Sequence, residues 1–174
     1  MSSIRALLGT LLGRPPRLIC SQSVWCAGVK ELHRRTDGEQ RESGAWLLGD
    51  KLNGTRIIRK FVYYDDIDPE ALDTGIVVIN GVKLGALWAL CRELDLEPVA
   101  DVHVHPYGYQ QSRSDQANPM MTGAGHLALI LPNFARGAPR PGSIGMFEHL
   151  GARKWRNHSA AGANFFHVGW WPWM

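Results

Sequence analysis

The chain has 174 residues, of which 45% are hydrophobic and 20% charged, with a formal net charge of +3. That composition describes a globular protein, excludes a fibrous or wholly disordered one, and suits one core rather than two. The mild charge without a Lys/Arg block argues against a nucleic-acid partner, and no run of about 18 apolar residues argues for a membrane span.

Met1 to Leu12 is apolar with Arg5 as its single charge, and Arg14-Pro15-Pro16-Arg17 follows. It is too short to cross a bilayer, and Gly9 and Gly13 weaken it as a signal sequence. We read residues 1–17 as an N-terminal arm or short helix and 18–174 as a single domain. Ser21 or Ser23 caps a helix through Val24, Trp25, Val29 and Leu32, with His33, Arg34 and Arg35 in its last turn and Thr36-Asp37-Gly38 at its end. Ala45 to Gly49 and Thr55 to Tyr64 read as two strands of a hairpin turning at Asn53-Gly54, the second a candidate exposed edge. Asp65 to Thr74 is acidic, contains Pro69 and reads as a solvated loop. Gly75 to Ile79 is a short β-branched run, and Asn80 stands to cap a helix whose Leu84, Leu87, Trp88, Cys91 and Leu94 form one buried stripe. This helix leads into a strand ending at the histidines, a strand-helix-strand unit. After Asp115 a helical turn is expected to about Met121. His126 to Leu131, Ile144 to His149 and Asn164 to Trp170 read as further strands. The terminal Trp170, Trp171 and Trp173 are expected to pack across the core; exposed, they would instead form an apolar patch suited to a protein partner.

The functional signal lies in His103-Val-His105-Pro106 and the polar loop to Asp115. Alternation along Pro98 to Val104 puts His103 and His105 on one strand face, with side-chain origins about 7 Å apart, close enough to share an ion. An aspartate returning from the loop completes three protein ligands, the pattern of a catalytic metal site with one open position. Asp101 lies on the same face, an acceptor able to orient His103. Cys20, Cys26 and Cys91 lack metal-finger spacing and read as free thiols of a reducing, cytoplasmic compartment. His33, His126, His149, His158 and His167 read as structural or surface histidines, and Arg153-Lys154 with Arg156 as a solvated cluster.

Taken together, Glu42 followed by the apolar run to Gly49, then His103-x-His105-Pro106, then Ser112-x-x-Asp115, resembles the JAMM motif of the JAB/MPN metalloproteases over roughly residues 20 to 150. Six residues, Pro106 to Gln111, separate His105 from Ser112, one fewer than the family usually has. The resemblance implies an α/β (α+β) MPN/JAB fold, a central mixed sheet curled around and flanked by helices in a three-layer, cytidine-deaminase-like arrangement. It implies one Zn2+ held by His103, His105 and Asp115, with Glu42 as general base and acid and Ser112 stabilising the oxyanion. The implied reaction is zinc-dependent cleavage of a peptide or isopeptide bond after the C-terminus of a ubiquitin-like protein. The implied setting is a bacterial ubiquitin-like conjugation system with E1/E2-like partner enzymes, some such systems being antiphage. The alternatives within this resemblance are a non-catalytic MPN scaffold and a JAB-like protein associated with DNA repair.

Overall fold

Asn53 and Gly54, both with positive φ, close a tight turn between Gly44–Leu52 (β2) and Thr55–Tyr63 (β3), the centre of a larger sheet. The computed structural model describes residues 15–171 except Ile76, Val78 and Asn80. The other strands are Leu18–Cys20 (β1), Glu97–Val104 (β4), Leu127–Leu131 (β5), Gly145–Gly151 (β6), Lys154–Asn157 (β7) and Phe166–Val168 (β8). Together they form a mixed eight-stranded sheet in the order β7-β6-β5-β4-β2-β3-β1-β8. β4 runs parallel to β5, and β1 parallel to both β3 and β8. The helices are Gln22–Arg34 (α1), Tyr64–Ile67 (α2), Leu84–Leu94 (α3) and Arg113–Ala117 (α4).

Period-2 alternation divides β2 between the two sheet faces. Ala45 and Leu47 join one apolar cluster, with Trp25, Val29 and Leu32 of α1, while Trp46 and Leu48 join the other, with Tyr64, Leu72, Leu87 and Cys91. Helices therefore cover both faces, giving a helix-sheet-helix arrangement of the α+β kind. The sheet is strongly curled. In a flat sheet β1 and β6 would stand roughly 24 Å apart at the usual strand spacing. Instead Arg17, just before β1, reaches Glu148 of β6 at 3.4 Å, and Arg56 of β3 donates to the carbonyls of Val99 and Gly125 at 2.8 and 2.5 Å. α1 fills the curl: Trp25 is fully buried, meets Phe166 edge-on at 4.9 Å and donates its indole N–H to Pro139.

Several sequence expectations are corrected. β3 is no edge, because it lies between β2 and β1, and the sheet ends at β7 and β8. β1, just after the arm, and β7, within the basic cluster, are strands that the local pattern did not show; pairing with β3 and β8, and with β6, creates them. The α3 stripe is narrower than expected, with Leu87 and Cys91 buried but Trp88 40% exposed. The acidic loop is not simply solvated, since Ala71 and Leu72 are buried against the second cluster. Trp170 is 79% exposed rather than packed in the core, and Trp173 lies outside the described residues. Met1 to Arg14 also lie outside them, as do Ile76 and Val78 of the β-branched run and the expected cap Asn80; Val77 and Ile79 belong to no strand. Among the described residues no helix is long and apolar enough to cross a membrane.

Candidate metal centre

β4, between β2 and β5 inside the sheet, carries a divided inventory. Val102 and Val104 point into the α1-side core, while Asp101, His103 and His105 project from the other face. Beyond Val104 the chain stays tied to its neighbours. The His105 amide donates to Leu131, the Phe134 amide to His105 and the Asn133 amide to Tyr107, at 2.8 to 2.9 Å. The loop that follows is thus held against the end of β5 and turns back into α4.

α4 starts at Arg113, earlier than the helical turn expected after Asp115, and a capping box is the reason. The Ser112 hydroxyl oxygen accepts the Asp115 amide at 3.1 Å, and the Asp115 carboxylate accepts the Ser112 amide at 2.6 Å. Ser-x-x-Asp spacing is therefore what a short helix needs at its start, and it fixes Asp115 so that the capped Oδ2 lies towards His105 and the other oxygen, Oδ1, towards His103. Trp155 of β7 secures the helix from outside, its indole N–H donating to Gln116 at 3.2 Å.

The structure brings His103, His105 and Asp115 together as one potential metal-holding group. The two histidine Nε2 atoms are 3.1 Å apart, and Asp115 oxygens lie 3.6 Å from His103 Nε2 and 3.3 Å from His105 Nε2. Ligands about 2.0 to 2.1 Å from a tetrahedral ion stand about 3.3 to 3.4 Å from one another. The histidine nitrogens are close to that spacing, Asp115 turns a different oxygen to each of them, and one ligand atom from each of the three residues lies within 4.8 Å of the other two. Electrostatics agree with the geometry. Burial disfavours charge on His103, but the nearby carboxylates of Asp101 and Asp115 outweigh it and push its pKa up to about 10. Burial likewise opposes ionised Asp115, yet His103 and His105 hold its carboxyl well below the ordinary range. A pocket that stabilises positive charge so strongly, with two imidazoles and a carboxylate converging, suits a divalent cation.

Glu42 stands two residues before β2, with its Oε1 4.0 Å from His105 Nε2. Its amide donates to Gly75 at 2.9 Å. The neighbouring Ser43 is fully buried, gives its hydroxyl proton to Leu32 and accepts the Val104 amide, so the Glu42 backbone is clamped between α1 and β4. Burial raises the pKa of Glu42, against the pull of His103 and His105. Ser112 is exposed at the rim, its hydroxyl proton not needed by the capping bond.

Behind the histidines lies a polar cluster. Asp101, 1% exposed, accepts the Tyr64 hydroxyl at 3.1 Å and meets His126 Nε2 at 2.5 Å, and one of its oxygens is 3.9 Å from His103 Nδ1. Asp101 was legible as a neighbour of His103 by strand alternation; Tyr64 and His126 were not, because only the pairing of β4 with β2 and β5 brings them there.

No protein-family profile matches the chain. It is 30% identical over 118 residues, 64% of this chain and 69% of the relative, to the probable metalloprotease y4jG of Sinorhizobium fredii (strain NBRC 101917 / NGR234). Its fold is similar to the solution structure of protein DSY2949 from Desulfitobacterium hafniense, with a TM-score of 0.60 over 87% of this chain and 92% of that one at 12% identity.

Proposed function

The chain belongs to the family of the probable metalloprotease y4jG, and from that premise we propose that it is a zinc peptidase of the JAMM type with a JAB/MPN fold. Convergence of His103, His105 and Asp115, with ligand atoms within 4.8 Å of one another and Glu42 4.0 Å from His105, carries this reading. A zinc ion held there supplies Lewis acidity towards water and a carbonyl oxygen, a contribution of several kcal/mol.

The chain's own groups do the rest. Glu42 takes a proton from the attacking water on its carboxylate and gives it to the departing amine nitrogen as the C–N bond breaks. Burial, by raising the pKa of Glu42, suits it to both halves of that transfer. The Ser112 hydroxyl, whose oxygen already accepts the Asp115 amide, donates its proton to the oxyanion, worth about 3 kcal/mol for a well-placed donor. The capping box thus serves two ends, holding Asp115 towards the histidines and aiming Ser112.

For the substrate we propose the C-terminal tail of a ubiquitin-like protein, cleaved in precursor processing or deconjugation. The support is the resemblance of the Glu42, His103, His105, Ser112 and Asp115 pattern to JAMM enzymes. The same resemblance supports a cytoplasmic bacterial conjugation system with E1/E2-like partners, including an antiphage one.

The test compares wild type with Glu42→Gln for zinc content and for cleavage of a ubiquitin-like protein bearing a C-terminal extension. Both proteins are expected to hold about one zinc per chain, with cleavage falling about 100- to 10,000-fold in the variant. A wild type that binds zinc and leaves such fusions intact overturns the substrate. One that binds no zinc overturns the metallopeptidase reading itself.

A further inference from the structure

Asp101 is a carboxylate sealed inside the sheet, and charge in such a place is costly unless it is fully hydrogen-bonded. Its two oxygens are served from two other elements: Tyr64, at the start of α2, donates to one, and His126, just before β5, meets the other. Tyr64 is itself fully buried and fixed by Trp46, whose ring meets it edge-on at 4.6 Å. The Tyr64-bound oxygen is also the one 3.9 Å from His103 Nδ1, while Nε2 of the same ring faces His105 and Asp115. The His103 imidazole therefore stands between the metal-side ligand atoms and this carboxylate.

We propose that Tyr64, Asp101 and His126 form a brace that sets the tautomer and orientation of His103 for metal binding, with His126 acting only through Asp101. The inference rests on the metal site proposed above. An imidazole that gives Nε2 to an ion must carry its proton on Nδ1, and a carboxylate behind the ring favours that tautomer and makes Nε2 a better donor of its lone pair. An ionised carboxylate has about four acceptor positions, so Asp101, bonded to Tyr64 and His126, keeps one turned towards His103 Nδ1, 3.9 Å away. Tyr64 and His126 keep it from turning away. They are positioning residues, and neither reaches the ligand atoms.

Chelator competition with zinc, read alongside thermal unfolding, tests the brace. Asp101→Asn is expected to weaken zinc binding about 10- to 100-fold. His126→Leu, which leaves an Asp101 oxygen without its donor, is expected to weaken it about 10-fold. His126→Gln, whose amide nitrogen can donate in place of Nε2, is expected to recover most of that loss even where stability stays low. If His126→Leu lowers stability while the folded protein binds zinc as tightly as wild type, the cluster is only a polar part of the core and the proposal is wrong. Should the variants fail to fold, NMR of zinc-loaded wild type decides: a His103 Nδ1 proton shifted downfield and protected from exchange, as a hydrogen bond to the Asp101 carboxylate requires, supports the brace, and an Nδ1 proton without that shift overturns it. A wild type that takes up no zinc removes the metal site as well, whereas unaltered affinity in the variants removes the brace alone.

Discussion

The two faces of the central sheet are built from the same strands and differ in what they bury. On the α1 side, Ala45, Leu47, Val102 and Val104 meet Trp25, Val29 and Leu32 in an apolar filling. On the other side, one residue out of step, Trp46 and Tyr64 pack beside Asp101 and lead to His103 and His105. The contrast separates two tasks. The dry face supplies stability through area and packing, and the polar face uses that rigid backing to hold charged groups at set distances.

The largest break in this comparison should come from Trp25→Ala. Truncating this fully buried residue is expected to cost about 3 to 5 kcal/mol in chemical denaturation. Zinc affinity of the molecules that remain folded should be unchanged, and a parallel loss of affinity would show that the faces are not separable. Zinc removal probes the opposite face. Free zinc at 100 times its dissociation constant should stabilise the protein by about 2.7 kcal/mol, and Asp115→Ala should abolish that shift in thermal unfolding.

Gly44→Ala should injure the polar face in both stability and metal binding, because Gly44 pairs with His103 and shares the face of Trp46. A Cβ there would strike the Tyr64 ring and lie 2.8 Å from the Val102 carbonyl. We expect a loss of about 1 to 3 kcal/mol in stability, from overpacking, together with weaker zinc binding through the displaced Tyr64. Unfolding and zinc titration of the same preparation check the pairing of the two losses.

The smallest effect concerns the far end of α1. Arg34, then Arg35, hold the Glu31 carboxyl down to a pKa of about 2 from 4.5, and Arg35 also bridges to Asp65 and Asp66. Because the folded pKa is depressed, the stability Glu31 contributes is full above about pH 4.5 and is lost as pH falls towards 2. Its solvent exposure limits this to about 1 kcal/mol. The stability difference between wild type and Glu31→Gln, measured by unfolding at pH 7, 4.5 and 3, should shrink over that interval.

Much of the local structure was readable without the fold. Asn53-Gly54 specified its hairpin through backbone conformations those residues tolerate, and Ser21 took the cap position two residues ahead of Ser23, accepting the Val24 amide. His103 and His105 shared a face because strand period is two. The reading of Ser112 and Asp115 as site residues overlooked their reciprocal capping bonds, although the spacing alone announces a capping box. The Trp88 position failed for a different reason: helical periodicity marks an apolar stripe without saying whether a neighbouring element covers it.

What sequence by itself determined, then, were features set within a few residues: turn, caps, the histidine face and the return of Asp115 near it. Tertiary structure alone decided that β3 is interior, that Leu18–Cys20 and Lys154–Asn157 are strands, and that Tyr64 and His126 flank Asp101. Most of those outcomes depend on which distant strands become neighbours, as Leu18–Cys20 does between β3 and β8, and on how far the sheet curls, while Lys154–Asn157 needs β6 as its hairpin partner; no local propensity encodes such pairing.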